Sequence, residues 1–139
     1  AKFLAQHLNY KYIDSDEEVS KQENLSISKL FETKGQNYFR EIETKWINEF
    51  NEDNSVVAVG GGLPIFSNNM ELLLKKGKVF WIDETFEVVF ERIKEDKSRP
   101  LLTKTKKELE KLYQERLAVY SKAIKVSSPK SIEDFLNNL

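Results

Sequence analysis

Apolar positions along this chain change period repeatedly, and each change marks an element. Residues 1–8 (AKFLAQHL) carry apolar side chains at helical spacing. YKYID (10–14) then reads as a short strand. Ser15 with Glu18 makes a capping box for a helix running to about Asn24. Ser26 caps a second helix, SISKLFETK (26–34), which Gly35 ends. In QNYFREIETKWINEF (36–50), Phe39, Ile42, Trp46, Ile47 and Phe50 fall on one helical face. SVVAV (55–59) is apolar and β-branched without alternation, the signature of a central strand in a parallel sheet. SNNMELLLKK (67–76) is helical up to Gly77, and KVFWI (78–82) is a further buried strand. TFEVVFERIKED (85–96) is a helix with Thr85 as cap, and KSRPLLTKT (97–105) is a loop. KKELEKLYQERLAVYSK (106–122) is a long helix, AIKVS (123–127) a last strand and SIEDFLNNL (131–139) a closing helix.

Strands and helices alternate almost strictly. That order predicts an α/β domain of three layers, a parallel sheet flanked by helices, over the single span 1–139. Ligands in such sheets bind beyond the carboxyl ends of the strands. Two unusual segments sit there: IDSD (13–16) after the first strand and VGGGLP (59–64) after the second.

Composition narrows the chemistry. There is no Cys and one His (His7), so a cysteine nucleophile and a Cys/His zinc site are excluded. His7 lies in the amphipathic stretch beside Leu8, the setting of a surface histidine rather than of a triad. The net charge of -1 gives no basic field for nucleic acid and no polybasic strip for anionic lipid. No apolar run approaches the ~20 residues that cross a bilayer, which points to a cytoplasmic protein without a membrane partner. Carboxylates, lysines, arginines, hydroxyls and backbone amides must carry the function.

Of 22 basic residues only four are Arg (Arg40, Arg92, Arg99 and Arg116), as expected if Arg is kept where a planar fork is required. Three of five Gly stand together at Gly60, Gly61 and Gly62. Without Cβ atoms such a turn lets a ligand approach the backbone and meet its N–H donors. Asp14 and Asp16 point the same way if the chain is still extended there, and one could order a metal's water while the other activates a hydroxyl. Alternatively they decorate a helix N-terminus. Arg40 and Arg116 could converge on one carboxylate as forked donors. Arg99, in SRPLL (98–102), sits on a loop that reads as a lid.

IDSD, FREIE (39–43), GGG, SRPLL and ERLAVY (115–120) occur in the order and approximate spacing of the shikimate kinases, which the chain resembles over nearly its whole length. The resemblance implies a P-loop kinase-like fold with a lid at about 97–106 and substrate-binding helices at about 15–50. It implies transfer of the ATP γ-phosphate to the 3-hydroxyl of shikimate by a monomeric enzyme of aromatic amino-acid biosynthesis, with Mg2+ as cofactor. In that picture Asp16 holds the shikimate hydroxyls and is the catalytic base, and Asp14 lies near the metal through water. Arg40 and Arg116 clamp the carboxylate beside donors from Gly60, Gly61 and Gly62, and Glu43 positions Arg40. Arg99 closes on the phosphates as a second catalytic residue, and Arg92 lies near the adenine. No Gly-x-x-x-x-Gly-Lys-Ser/Thr occurs in these residues; the family's phosphate loop, and the interior strand before it, are expected upstream of Ala1. Rival readings are a catalytically inactive kinase-like binding module and a kinase for another hydroxy acid.

Overall fold

The computed structural model describes residues 1–82, Val88, Glu91 and 105–137. The sequence-predicted helix at 85–96, apart from Val88 and Glu91, and the lid loop up to residue 104 lie outside the described residues, and with them Arg92 and Arg99.

The described elements follow the expected order. They are α1 (Lys2–Leu8), β1 (Lys11–Asp14), α2 (Ser15–Glu23), α3 (Ile27–Lys34), α4 (Gln36–Glu49), β2 (Ser55–Ala58) and α5 (Asn69–Lys76). β3 (Phe80–Ile82), α6 (Lys106–Tyr120), β4 (Ile124–Val126) and α7 (Pro129–Asn137) complete them. All described strand pairings are parallel. β1 pairs with β2, Asp14 standing opposite Ala58, and β3 pairs with β4, Phe80 standing opposite Ile124. The sheet is thus two pairs among the described residues. One apolar cluster spans both: Leu4, Val126 and Ile132 form its buried centre, with Val56, Phe80 and Ile124 packed around them. This cluster ties α1 and α7 to the strands.

The second cluster holds the helices together. Val19, Leu30 and Phe39 from α2, α3 and α4 are almost wholly buried, and Phe31 meets Phe39 with ring centroids 4.9 Å apart. Burying side chains of this size stabilises by about 1.5–3 kcal/mol each. Ser26 caps α3 as expected, accepting from the Lys29 N–H at 3.2 Å. Gly35 then closes α3 and opens α4 in the same residue. Its φ of 87° is open to glycine at little cost, its N–H reaches the Phe31 carbonyl at 3.1 Å, and its carbonyl accepts from Phe39 at 3.3 Å.

Three sequence-based expectations need correction. The cap of α2 is Asp14 rather than Ser15: its Oδ1 accepts from the Asp16 and Glu17 amides at 2.9 and 3.3 Å. Ser15 is instead buried, its hydroxyl unpartnered. Because the helix starts at Ser15, the chain is not extended at Asp16, and strand alternation does not align the two aspartates. Finally, β2 is only half-buried along its length, not the fully buried strand its composition suggested.

Candidate active site

The parallel register of β1 and β2 sets the geometry. Asp14 lies beside Ala58, so the residues that follow each strand, Ser15–Asp16 and Val59–Gly62, leave the sheet by the same edge. The N-terminal start of α2 adds partial positive charge where Asp14, Asp16 and Glu17 gather, an attraction that stabilises this end of the helix. Asp16 occupies the first turn of that helix.

After β2 the chain makes two successive turns, Leu63 N–H bonding the Gly60 carbonyl at 3.2 Å and Ile65 N–H the Gly62 carbonyl at 3.3 Å. Both predicted arginines arrive at this turn. A Cβ on Gly62 would overlap the Arg40 guanidinium, lying 2.6 Å from its Cζ, so only glycine lets α4 lay this arginine against the backbone. A Cβ on Gly61 would lie 3.4 Å from Arg116 Nη1 and 3.1 Å from Tyr120 Oη. Gly60 forms the start of the same turn. The triplet is therefore a surface against which two guanidinium groups pack, from α4 on one side and α6 on the other.

Each arginine is held differently. Arg40 Nη1 donates to Glu43 Oε1 at 2.6 Å, with side-chain exposures of 13% and 1%. The Arg40 guanidinium is thus paired with a carboxylate that lies in the core. Arg40 is no solvated surface residue. Thr44 reinforces the same turn of α4: its hydroxyl sits 3.1 Å from the Arg40 carbonyl and 2.8 Å from Asn69 Oδ1. The fully buried Asn69 in turn donates to the Leu63 carbonyl at 2.9 Å, fastening α4 to the glycine turn through α5. Arg116 has no carboxylate among its described partners, and its buried Nε is without an acceptor. Its neighbour is the phenol of Tyr120, whose hydroxyl donates to the Gly61 carbonyl at 2.5 Å. Burial raises the Tyr120 pKa above 10.0, while the positive charges of Arg116 and Arg40 oppose that rise. Both arginines are therefore within electrostatic reach of one phenol.

Such a site can bind a small carboxylic acid: two forked cations, one of them without a carboxylate partner among the described residues, beside close-approaching backbone. The hollow at the opposite end of β1, bounded by Lys11, Glu18, Trp46, Phe50 and Glu52, includes none of these groups.

The family model described as shikimate kinase matches residues 1–135. The chain belongs to the shikimate kinase family. It is 41% identical over 129 residues to the shikimate kinase of Persephonella marina, covering 91% of this chain and 79% of that one. It is 40% identical over 138 residues to that of Aquifex aeolicus, covering 98% and 82%. Among solved structures, shikimate kinase from Acinetobacter baumannii in complex with shikimate superposes with a TM-score of 0.90 at 28% identity, covering 99% of this chain and 84% of that one. The Aquifex aeolicus enzyme gives 0.83 at 38% identity, covering 97% and 84%. Shikimate kinases are ATP-dependent phosphotransferases of the P-loop kinase fold, and the parallel pairs and flanking helices described above are part of that architecture.

Of the residues the sequence singled out, Arg40, Arg116, Glu43 and the glycines are brought together here, joined by Tyr120, Thr44 and Asn69, which the sequence reading did not single out. Tyr120 had a signal: it lies four residues after Arg116, one turn along the same helical face. Asn69 had none, since its role depends on a fold-back across six residues to Leu63.

Proposed function

We propose that this chain transfers the ATP γ-phosphate to shikimate, with Arg40 and Arg116 together gripping the acceptor's carboxylate over Gly60, Gly61 and Gly62. The observation that carries this reading is the convergence of the two guanidinium groups on adjacent residues of one turn. Shikimate is small, anionic only at its carboxylate and rich in hydroxyls. Forked donors match the carboxylate, and an aspartate at the same sheet edge matches the hydroxyls.

In this reading Asp16 holds the acceptor hydroxyls and takes up the proton of the attacking 3-hydroxyl. Glu43 keeps Arg40 in place before the acid arrives. Asp14 has one oxygen committed to two amides and the other 3.5 Å from the Tyr12 hydroxyl. This fits contact with a magnesium ion through water rather than direct ligation. Among the described residues no three carboxylates or imidazoles are placed to hold a metal ion together, so the donor set suits Mg2+ held chiefly by phosphate and water oxygens. Bound there, the ion would neutralise phosphate charge. Arg99, on the lid at about 97–106, neutralises charge on the transferring group, and Arg92 lies near the adenine. The chain acts as a single cytoplasmic kinase domain, monomeric, with its substrate helices at about 15–50.

The decisive experiment is ATP-dependent phosphorylation of shikimate by the intact protein, followed by ADP release, beside a panel of other hydroxy acids such as gluconate. Turnover with shikimate and little with the panel is expected. Tight shikimate binding without phosphoryl transfer, or faster turnover of another acid, would refute the assignment.

A further inference from the structure

One hydroxyl outside the acid-gripping arginines reaches the glycine turn. Tyr120 Oη crosses 59 residues of sequence to donate to the Gly61 carbonyl, and its ring is steadied by Trp81 at 6.0 Å between centroids. In a trans peptide the carbonyl and the following N–H point in opposite directions. With the Gly61 carbonyl turned toward Tyr120, the Gly62 N–H is turned away from it. Among the described residues no acceptor is paired with that N–H. The peptide joins two glycines, so nothing in its own side chains resists rotation, and alternative orientations are cheap. The hydroxyl restrains a unit that is otherwise free to turn. It also interacts with the Arg116 guanidinium, whose buried Nε lacks a partner among the described residues.

We infer that Tyr120 is a positioning residue for the acceptor site: its hydroxyl fixes the Gly61–Gly62 peptide so that the Gly62 N–H is kept as an anion donor, and it braces Arg116 beside that donor. The inference rests on the proposed acid site. It assigns Tyr120 no contact with the reacting atoms. Its effect is to remove conformational freedom from the turn before the acid binds.

The test compares the intact wild-type protein with Tyr120→Phe, which keeps the ring and its contact with Trp81. The KM for shikimate should rise about 3- to 10-fold, the scale of one lost hydrogen bond. The KM for ATP, kcat at saturating shikimate and Tm should stay near the wild-type values. Gly61→Ala supplies a second arm, because its new methyl would meet the hydroxyl at 3.1 Å. The two changes should be non-additive, Gly61→Ala weakening shikimate binding less when combined with Tyr120→Phe than alone. An unchanged KM for shikimate in Tyr120→Phe, equal rises for both substrates, a large fall in Tm or strictly additive effects would each overturn the inference. Wild-type protein that fails to bind shikimate would overturn the acid site itself, a result distinguishable from binding that ignores the hydroxyl.

Discussion

The two walls of the glycine turn solve the same problem in opposite ways. On the α4 wall, Arg40 is paired with a carboxylate that is 1% exposed, so its charge is balanced inside the protein. On the α6 wall, Arg116 has a neutral phenol beside it and, among the described residues, a buried donor without an acceptor. One guanidinium is fixed in place by an internal counter-ion; the other has no counter-ion among the described residues. The difference suggests a division of labour, in which Arg40 supplies shape and Arg116 supplies most of the attraction for an anion.

Breaking the internal pair should give the largest effect. Glu43→Ala leaves Arg40 uncompensated in a largely buried setting, and removal of one partner from such a pair costs about 3–5 kcal/mol. The 13% exposure of Arg40 lets it turn partly to water, so the lower end of that range is expected, read as a lowered midpoint in denaturant unfolding. A midpoint equal to wild type would mean that the pair contributes nothing to the fold.

Arg116→Lys comes next. Lys keeps the charge but loses the fork, and one charge-assisted hydrogen bond is worth about 1.5–3 kcal/mol, so shikimate affinity should fall roughly 10- to 100-fold. ATP affinity should hold. Arg40→Lys should cost less, because Glu43 already occupies part of that guanidinium. Isothermal titration of both variants decides the matter, and the reverse ranking would discard the division of labour.

Gly62→Ala is a gentler probe of the α4 wall. Its methyl displaces the far end of a flexible side chain rather than backbone, so Tm should change little while shikimate affinity drops about tenfold, the scale of one hydrogen bond misaligned. Affinity equal to wild type would show that Arg40 need not lie on the glycine.

The smallest effect concerns pH. Tyr120 and Tyr12 are raised above 10.0 chiefly by burial, and Tyr38 by its hydrogen bond to Glu23. The folded chain therefore holds these protons where the unfolded chain releases them. Stability is unaffected by them below pH 10 and declines as pH climbs past it. Acceptor binding should likewise persist to pH 9, since Tyr120 remains a donor. Stability that increases from pH 10 to 11 would contradict the raised values.

Much of this was legible in the residues. Helical periodicity located α4 and its apolar face, and Ser26 and Gly35 marked the ends of α3, because local chemistry alone decides those features. The scarcity of Arg in a Lys-rich chain pointed to Arg40 and Arg116. What escaped depended on tertiary placement. Asp14 took the cap from Ser15 because the strand delivers its carboxylate to the helix amides, which no spacing rule reports. The burial of Glu43 was hidden because its charge suggests solvent until Arg40 is seen beside it. Asn69 was invisible because its partners lie on a different helix and across a loop.

Gly35 carries one more consequence. It is shared by two helices with no residue to spare, so the rotational phase of everything after it is counted from that single position. Arg40 and Glu43 stand five and eight residues downstream. One inserted residue between them and Gly35 would swing both by about 100° around the helix axis, aiming the guanidinium elsewhere while the composition stayed almost the same. Length there matters to the proposed acid site as much as any charged group.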